Sequence, residues 1–280
     1  MDFAQVKQLE QDYIMPTYGR FPVALEAGKG ARVRDVAGKE YLDFGSGIGV
    51  NALGFCDADW ADAVSAQAHK LNHTSNLYYS SIQGQLAQKL CALSGMDKVF
   101  YCNSGAESNE GAIKLARKYS YDKYGEGRST IVTLENSFHG RTITTLAATG
   151  QDVFHNYFFP FTGGFTYAKA NDLESVKAVL DESVCAIVLE GVQGEGGVIP
   201  LSEAFVSGVA AQMCIRDRRK VAPSELVLAN PGKGLVAVAE LLFMGTEPDA
   251  RMRLRDAVAV VTVHNRIVPD DERHEHQPFL

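Results

Sequence analysis

The chain has 280 residues, 46% of them hydrophobic and 22% charged, with a formal net charge of −7, which is typical of a soluble protein with one large domain or two smaller ones. The negative charge argues against a nucleic-acid partner because phosphate binding requires a basic surface, and five scattered cysteines without a Cys-x-x-Cys pair argue against a disulfide framework or a metal site. The N-terminus lacks a signal-peptide pattern and no apolar run is long enough to span a bilayer, so we expect a cytoplasmic protein with no membrane partner.

The first third of the chain predicts a helix, a hairpin and two further helices. Apolar residues lie on one side of a helical segment that ends before Pro16, since proline cannot continue a helix. The strand-like stretch that follows has turn residues between Asp35 and Lys39, which predicts a hairpin. The predicted elements are a helix at 2–14, strands within 21–44, a glycine-rich loop at 45–54, and helices at 59–71 and 83–93.

From residue 98 onward, apolar strand-like segments alternate with helical ones. Strands are predicted at 98–102, 129–135 and 184–190, and helices at 106–121, from about Arg141, and at 172–180. Because apolar strands separated by helices form parallel sheets buried on both faces, we expect an α/β fold with a mostly parallel sheet flanked by helices. Ligands bind such sheets beyond the carboxyl ends of the strands.

Ser104, Gly105, Ala106 and Glu107 lie where the first of these strands turns into a helix. A serine followed by a glutamate three residues later is typical of a capping box, which does no more than start the helix. The same residues also suit an anion site, because two N–H groups and a hydroxyl would face a phosphate at the positive end of the helix dipole. Taken alone, the motif favours the interpretation as a helix cap.

Polar and aromatic groups follow the next two strands at the same predicted rim. After the second strand come Phe138, His139 and Arg141. The phenylalanine and histidine could be purely structural, and the arginine could be either a solvated cation at a helix end or a ligand for a carboxylate. After the third strand, Glu190 and Glu195 lie on a glycine-rich turn and could act as acid and base or as counterions of an arginine. These residues together predict a site at the carboxyl ends of the strands.

Several long segments, in this order, resemble the class III pyridoxal-phosphate aminotransferases: PTYGRFPVALEAGKGARVRDVAGKEYLDFGSGIGVNALG, SNLYYS, VFYCNSGAESNEGAIKLARKY, ENSFHGRTITTLAATGQ and LEGVQGEGGVIP. Within that family the resemblance is to the acetylornithine aminotransferase group, and it covers about residues 10–210. It implies the large domain of a type I PLP-dependent transferase, pyridoxal 5′-phosphate as cofactor, and amino-acid and 2-oxo-acid substrates. It also implies a homodimer with its active site at the dimer interface.

The resemblance implies cofactor-binding roles for five residues. Ser104, Gly105 and Ala106 would bind the cofactor phosphate. Phe138 would stack on the pyridine ring, and Glu190 would lie close to the cofactor.

The same resemblance implies substrate-binding roles. Arg141 would bind the α-carboxylate of the amino acid, and Glu195 would neutralise a substrate-binding arginine when no acid occupies it. Tyr18 and the segment 76–79 would lie near the substrate and the interface. Gly191 departs from the family pattern, which usually has proline there.

The composition changes near Gln212. Lysine outnumbers arginine 11 to 6 before that point, arginine outnumbers lysine 8 to 2 after it, and all 11 tyrosines precede it. The family motifs expected next are Asp-Glu-Val-Gln, which carries an aspartate of the site, and Ala-Lys-Gly-Leu-Gly, which carries the Schiff-base lysine. The sequence contains neither motif. Lys233, in Lys-Gly-Leu, is the remaining candidate for the Schiff-base lysine. The sequence favours a second interpretation of Lys233, as a surface lysine in a turn.

The resemblance and the composition change together predict three regions. Residues 1–50 would be an N-terminal segment of the small domain, and residues 51–212 an incomplete, truncated PLP-binding large domain. Residues 213–280 would be an unrelated-looking tail, of chimeric or frame-shifted origin, that ends in a disordered charged segment.

Two hypotheses about function follow. The first is amino-group transfer from N-acetylornithine, or a related ω-amino donor, to 2-oxoglutarate through pyridoxal phosphate, with this truncated form inactive. The second is a non-catalytic fragment or pseudoenzyme that keeps a phosphate-binding cup and a dimerising surface. Under either hypothesis we expect exposed apolar surface and a tendency to aggregate.

Overall fold

The computed structural model describes residues 1–94, 96–217 and 240–243, which fall into two compact units, Met1–Ser80 and the described residues from Ser81 onward. The first unit contains two helices and a three-stranded antiparallel sheet. Its elements are α1 (Phe3–Tyr13), β1 (Leu25–Lys29), β2 (Arg32–Asp35), β3 (Glu40–Leu42) and α2 (Ala58–Lys70). The helices and the hairpin predicted for this part of the chain are confirmed.

Asp35 closes the β2–β3 hairpin. One of its carboxylate oxygens accepts hydrogen bonds from the N–H groups of Ala37 and Lys39, both at 2.9 Å, and the other accepts from the Tyr41 hydroxyl at 2.8 Å. Gly38 has φ 85°, a conformation that glycine adopts without strain. The turn chemistry expected from the sequence therefore also fixes the register of the two strands.

The second unit is built around a four-stranded sheet in the order β5-β4-β6-β9. Its elements are α3 (Ser81–Ser94), α4 (Gly105–Tyr124), β4 (Thr130–Leu134), α5 (Ile143–Ala148), β5 (Phe165–Ala168), α6 (Leu173–Val179), β6 (Val184–Leu189), β7 (Val192–Gln193), β8 (Ile199–Pro200), α7 (Glu203–Asp217) and β9 (Glu240–Phe243), with a short 3₁₀ helix at Asp152–Phe154. Strand β4 is parallel to both β5 and β6, whereas β9 is antiparallel to β6. The predicted mostly parallel sheet is confirmed.

Both faces of the sheet are covered by helices. Every residue of β6 is buried, as expected for a strand that is apolar throughout. One face packs against α6 and α7 through Val176, Phe205 and Val209. Ile113 and Ala116 of α4 pack in the second buried cluster together with Ala186 and Val188 of β6.

One strand prediction is wrong, and one strand of the four-stranded sheet was not predicted. Residues 98–102 do not form a strand; Val99 alone has the geometry of a single bridge, and Phe100 is 48% exposed. An apolar run forms a strand only where its backbone groups pair along its length, and composition does not report that pairing. In contrast, β5 was not predicted. It has only four residues, one of which is the polar Thr166, and so short a segment gives no clear alternation of apolar and polar residues.

The predictions for the tail fall mostly on residues that are not described, including Lys233 and the charged C-terminal segment. Helix α7 continues through Gln212 to Asp217, and β9 lies within a stretch whose sequence is strand-like or helix-like. The proposed division at residues 50 and 212 stays a prediction. Among the described residues, no helix is long and apolar enough to cross a membrane.

Arg117 fastens α4 to the beginnings of β4 and β5. Its Nε donates to the Ser129 carbonyl at 3.1 Å, its Nη2 donates to the Gly163 carbonyl at 2.8 Å, and its guanidinium lies over the Phe165 ring. We expect Arg117→Lys to lower the free energy of unfolding by about 1–3 kcal/mol, because lysine lacks the planar fork that serves both carbonyls. Urea denaturation would measure this, with the exposed Arg32→Lys as a control that changes stability by less than about 0.5 kcal/mol. Equal losses in both variants would contradict the assignment.

Candidate active site

Ser104 is the N-cap of α4, as predicted. Its hydroxyl oxygen accepts from the Glu107 N–H at 3.2 Å, and its carbonyl accepts from the Ser108 N–H at 3.0 Å. The Glu107 carboxylate does not complete the capping box; it accepts from the N–H of Asn103, one residue earlier than a capping box requires. No described residue accepts from the N–H groups of Gly105 and Ala106, so both remain available at the positive end of a 20-residue helix.

The loop after β4 packs against this helix end. Gly140 has φ 128°, and a Cβ added to it would lie 2.8 Å from the Ala106 Cβ and 2.7 Å from the Thr145 Oγ1. The Asn109 side chain donates from Nδ2 to the His139 carbonyl at 2.7 Å. Glycine is therefore required at position 140 for the loop to reach the helix N-terminus.

Phe138 and Arg141 extend from the same loop. The Phe138 N–H donates to Glu190 Oε2 at 3.0 Å, which joins the loop to the end of β6. The Arg141 guanidinium lies 5.9 Å from the centre of the Phe138 ring, and Arg141 is exposed. An aromatic ring and a cation thus lie next to each other at the carboxyl ends of the strands.

Gln193 joins the turn after β6 to the end of β4. Its side chain is 1% exposed and donates from Nε2 to the Glu135 carbonyl at 2.8 Å, while its Oε1 has no partner among the described residues. Gly196 lies against the same loop, since an added Cβ would come 2.5 Å from the Asn136 carbonyl oxygen. The turn that carries Glu195 is therefore held against the loop that carries Arg141.

Glu190 is the most perturbed carboxyl group of the site. Its pKa is raised to about 7, mainly by burial; the hydrogen bond from the Phe138 N–H opposes this rise, and the neighbouring charge of Glu195 adds to it. Glu190 therefore exchanges a proton near neutral pH, at the junction of the two strand-end segments.

This pKa predicts how stability depends on pH. In the unfolded chain Glu190 has an ordinary pKa near 4.5, and in the folded chain its pKa is about 7, so the folded state holds the proton more tightly. The resulting stabilisation is complete below the unfolded value and is lost as the pH rises through the folded one. We expect Glu190→Gln, which keeps an acceptor for Phe138, to gain stability relative to wild type between about pH 5 and pH 8. Denaturant unfolding at both pH values tests this, with the exposed Glu126→Gln as the control. If the difference in the free energy of unfolding between Glu190→Gln and wild type were the same at both pH values, the prediction would be refuted.

His139 is buried at 4% exposure, and burial lowers its pKa to about 4. Its main-chain N–H donates to Thr149 Oγ1 at 3.0 Å, and its ring Nε2 has no partner among the described residues. The imidazole is therefore neutral at physiological pH and belongs to the packing beneath the loop.

The structure brings together most of the residues that the sequence nominated. Ser104, Gly105, Ala106, Phe138, Arg141, Glu190 and Glu195 lie on the three chain segments that meet at this rim. Tyr18 is 57% exposed in the other compact unit, and its role stays a prediction. Lys233 lies outside the described residues. Sequence reasoning missed Asn109, whose position four residues after Gly105 could have indicated the same helix face.

Comparison with known proteins identifies the family. The family model described as aminotransferase class-III matches residues 13–219. The acetylornithine aminotransferase of Haemophilus ducreyi is 56% identical over 214 residues, which are 76% of this chain and 54% of that protein. The one of Methanocaldococcus jannaschii is 48% identical over 201 residues, or 72% of this chain and 50% of that protein.

Solved structures agree with the sequence comparison. The ornithine aminotransferase of Toxoplasma gondii superposes with a TM-score of 0.72 at 29% identity, over 78% of this chain and 52% of that one. This chain thus spans about half the length of the relatives it matches. The expected type I transferase fold is confirmed, and the chain belongs to the class-III aminotransferases, a family of pyridoxal-phosphate-dependent enzymes.

Proposed function

We propose that residues 13–219 provide the cofactor-phosphate side of an aminotransferase site for N-acetylornithine or a related ω-amino donor, with 2-oxoglutarate as acceptor. The main support is geometric: the N-terminus of α4 and the segments after β4 and β6 meet at one rim. Two hydrogen bonds join them, from Asn109 to the His139 carbonyl and from the Phe138 N–H to Glu190.

The residues at this rim fit pyridoxal 5′-phosphate. The N–H groups of Gly105 and Ala106 and the Ser104 hydroxyl would hold the phosphate, where the helix dipole favours an anion. Phe138 would cover one face of the ring. When bound, the cofactor supplies a conjugated cationic ring that accepts the electrons released as a C–H bond beside the amino group breaks. The chain's own contribution is to bind and orient the phosphate, the ring and the substrate.

Arg141 suits the α-carboxylate of the amino acid. Its guanidinium is exposed beside Phe138 and can offer two parallel N–H donors to a carboxylate. Glu195, on the facing turn, is close enough to raise the pKa of Glu190 and would serve as a counterion for a substrate-binding arginine. The assignments of Tyr18 and of the donor itself rest on the family resemblance.

We expect this chain to bind the cofactor without completing amino transfer. Its sequence contains neither the Asp-Glu-Val-Gln nor the Ala-Lys-Gly-Leu-Gly motif, and these would supply the charge on the ring nitrogen and the proton-transferring amine. The non-catalytic alternative with a dimerising surface is supported by apolar side chains of the N-terminal unit. Phe44 is 94% exposed and Leu77 is 85% exposed, which favours a partner or self-association.

Three measurements test the proposal. Calorimetric titration with inorganic phosphate and with pyridoxal 5′-phosphate should detect binding to the purified chain, and no binding of either would overturn the phosphate site. Borohydride reduction followed by peptide mapping should then find no lysine that carries the cofactor stoichiometrically. Stoichiometric labelling of Lys233 would instead support a complete enzyme and refute the non-catalytic alternative. Analytical ultracentrifugation would test for a homodimer.

A further inference from the structure

Asn109 links the two halves of the proposed site. It lies four residues after Gly105, so both residues share one face of α4. Side chains of a helix lean towards its N-terminus, which directs Asn109 to the end where Ser104, Gly105 and Ala106 lie. From there its Nδ2 reaches the carbonyl of His139, 30 residues further along the chain, at 2.7 Å.

That carbonyl lies between the two residues of the loop that would contact a ligand. His139 directly follows Phe138 and precedes Arg141 by two residues. The contact of Gly140 with Ala106 prevents the loop from moving closer to the helix, but a van der Waals contact does not stop it from moving away. The hydrogen bond from Asn109 restrains that second movement.

We infer that Asn109 is a positioning residue, which fixes the spacing between a phosphate at Gly105 and Ala106 and the ligand-facing groups Phe138 and Arg141. This inference rests on the proposed function. A ligand that consists of phosphate alone contacts only the helix end, so its affinity does not depend on the distance between the helix end and the loop. A ligand with both a phosphate and a ring must match it, so loss of the Asn109 donor should weaken binding of that ligand selectively.

The test compares two probes. Inorganic phosphate reports on the helix end alone, and pyridoxine 5′-phosphate carries the ring and the phosphate but no aldehyde, so it does not react with lysines. The variant is Asn109→Leu, whose side chain has the same number of heavy atoms and the same branching at Cγ, but no donor and no charge. We expect its affinity for pyridoxine 5′-phosphate to fall roughly tenfold and its affinity for inorganic phosphate to stay within about twofold of wild type.

A matched control is available in the same unit. Asn156 also donates its side-chain Nδ2 to a carbonyl, that of Val153 at 3.1 Å, and it is exposed. Asn156→Leu removes the same kind of hydrogen bond and should leave both affinities unchanged. In a Phe138→Ala background, Asn109→Leu should have no further effect on pyridoxine 5′-phosphate, because the group that it positions is gone.

Three outcomes would overturn the inference: an equal loss for both probes, no loss for either, or a full additional loss in the Phe138→Ala background. Should thermal melts find Asn109→Leu unfolded, Asn109→Ser gives the same two-probe comparison with a smaller change. A wild-type chain that binds neither inorganic phosphate nor pyridoxal 5′-phosphate would refute the proposed function itself, and that result is distinct from any pattern among the variants.

Discussion

Gly150→Ala should severely destabilise the second unit, which contains the four-stranded sheet. A Cβ at this position would lie 2.1 Å from the carbonyl oxygen of Leu134, 2.9 Å from its carbonyl carbon and 3.0 Å from the Cα of Glu135. All three are main-chain atoms at the end of β4, so no side-chain rotation relieves the overlap. The strand cannot retreat without breaking the 2.7 Å hydrogen bond from the Asn136 N–H to the Gly150 carbonyl.

We expect a loss of more than about 4 kcal/mol in the free energy of unfolding, which is a large part of the stability of an ordinary domain. Circular dichroism melts and limited proteolysis of the purified chain would measure it. Gly163→Ala is the matched control: no heavy atom lies within 4 Å of the position that its new methyl group would take, and its stability should change by less than about 1 kcal/mol. A cooperative, wild-type-like melt of Gly150→Ala would refute the close approach.

Ser104→Asp should abolish phosphate binding while it leaves the fold intact. Aspartate is as good an N-cap as serine, so the first turn of α4 keeps its acceptor for the Glu107 N–H. The new carboxylate, however, would face the bound anion. Two unit charges 4 Å apart near a protein surface repel by about 4 kcal/mol, which corresponds to a loss of affinity of roughly a thousandfold.

The control for this change is the same substitution at another serine cap. The Ser202 hydroxyl accepts from the Phe205 N–H at 3.2 Å at the beginning of α7, and Ser202→Asp adds the same charge to the same unit. Calorimetric titration with inorganic phosphate should find that Ser202→Asp binds within about threefold of wild type. Equal affinities for Ser104→Asp and Ser202→Asp would mean that the anion binds elsewhere.

The elements that could be predicted from sequence are those with strong local patterns. The six apolar residues of β6 and the Ser104 cap of α4 are each recognisable within a few positions. Residues 99–102 are also mostly apolar or aromatic but lack the pairing of β6, because pairing depends on neighbours that are distant in the chain. A local pattern therefore predicts burial better than it predicts a hydrogen-bonded ladder.

The sequence could identify most residues of the site but could not predict the contacts that hold them together. Parallel strands place their carboxyl ends on one rim, which was enough to group Ser104, Arg141 and Glu190. The contacts that fix the rim join residues 30 to 58 positions apart, as in the pairs Asn109 with His139 and Gln193 with Glu135. No spacing rule predicts such contacts, and the raised pKa of Glu190 follows from burial that only the folded chain defines.

The hydrogen bonds that hold this rim end on main-chain atoms. Asn109, Glu190 and Gln193 bind a carbonyl, an N–H and a carbonyl of the loop after β4, and none of these three bonds ends on a side chain of that loop. Apart from Gly140, which must remain glycine, these bonds therefore do not depend on which side chains the loop carries. Under the proposed function, the preference for one amino donor over another can therefore diverge by point substitution at an exposed position such as Glu195, while the scaffold that carries it stays unchanged.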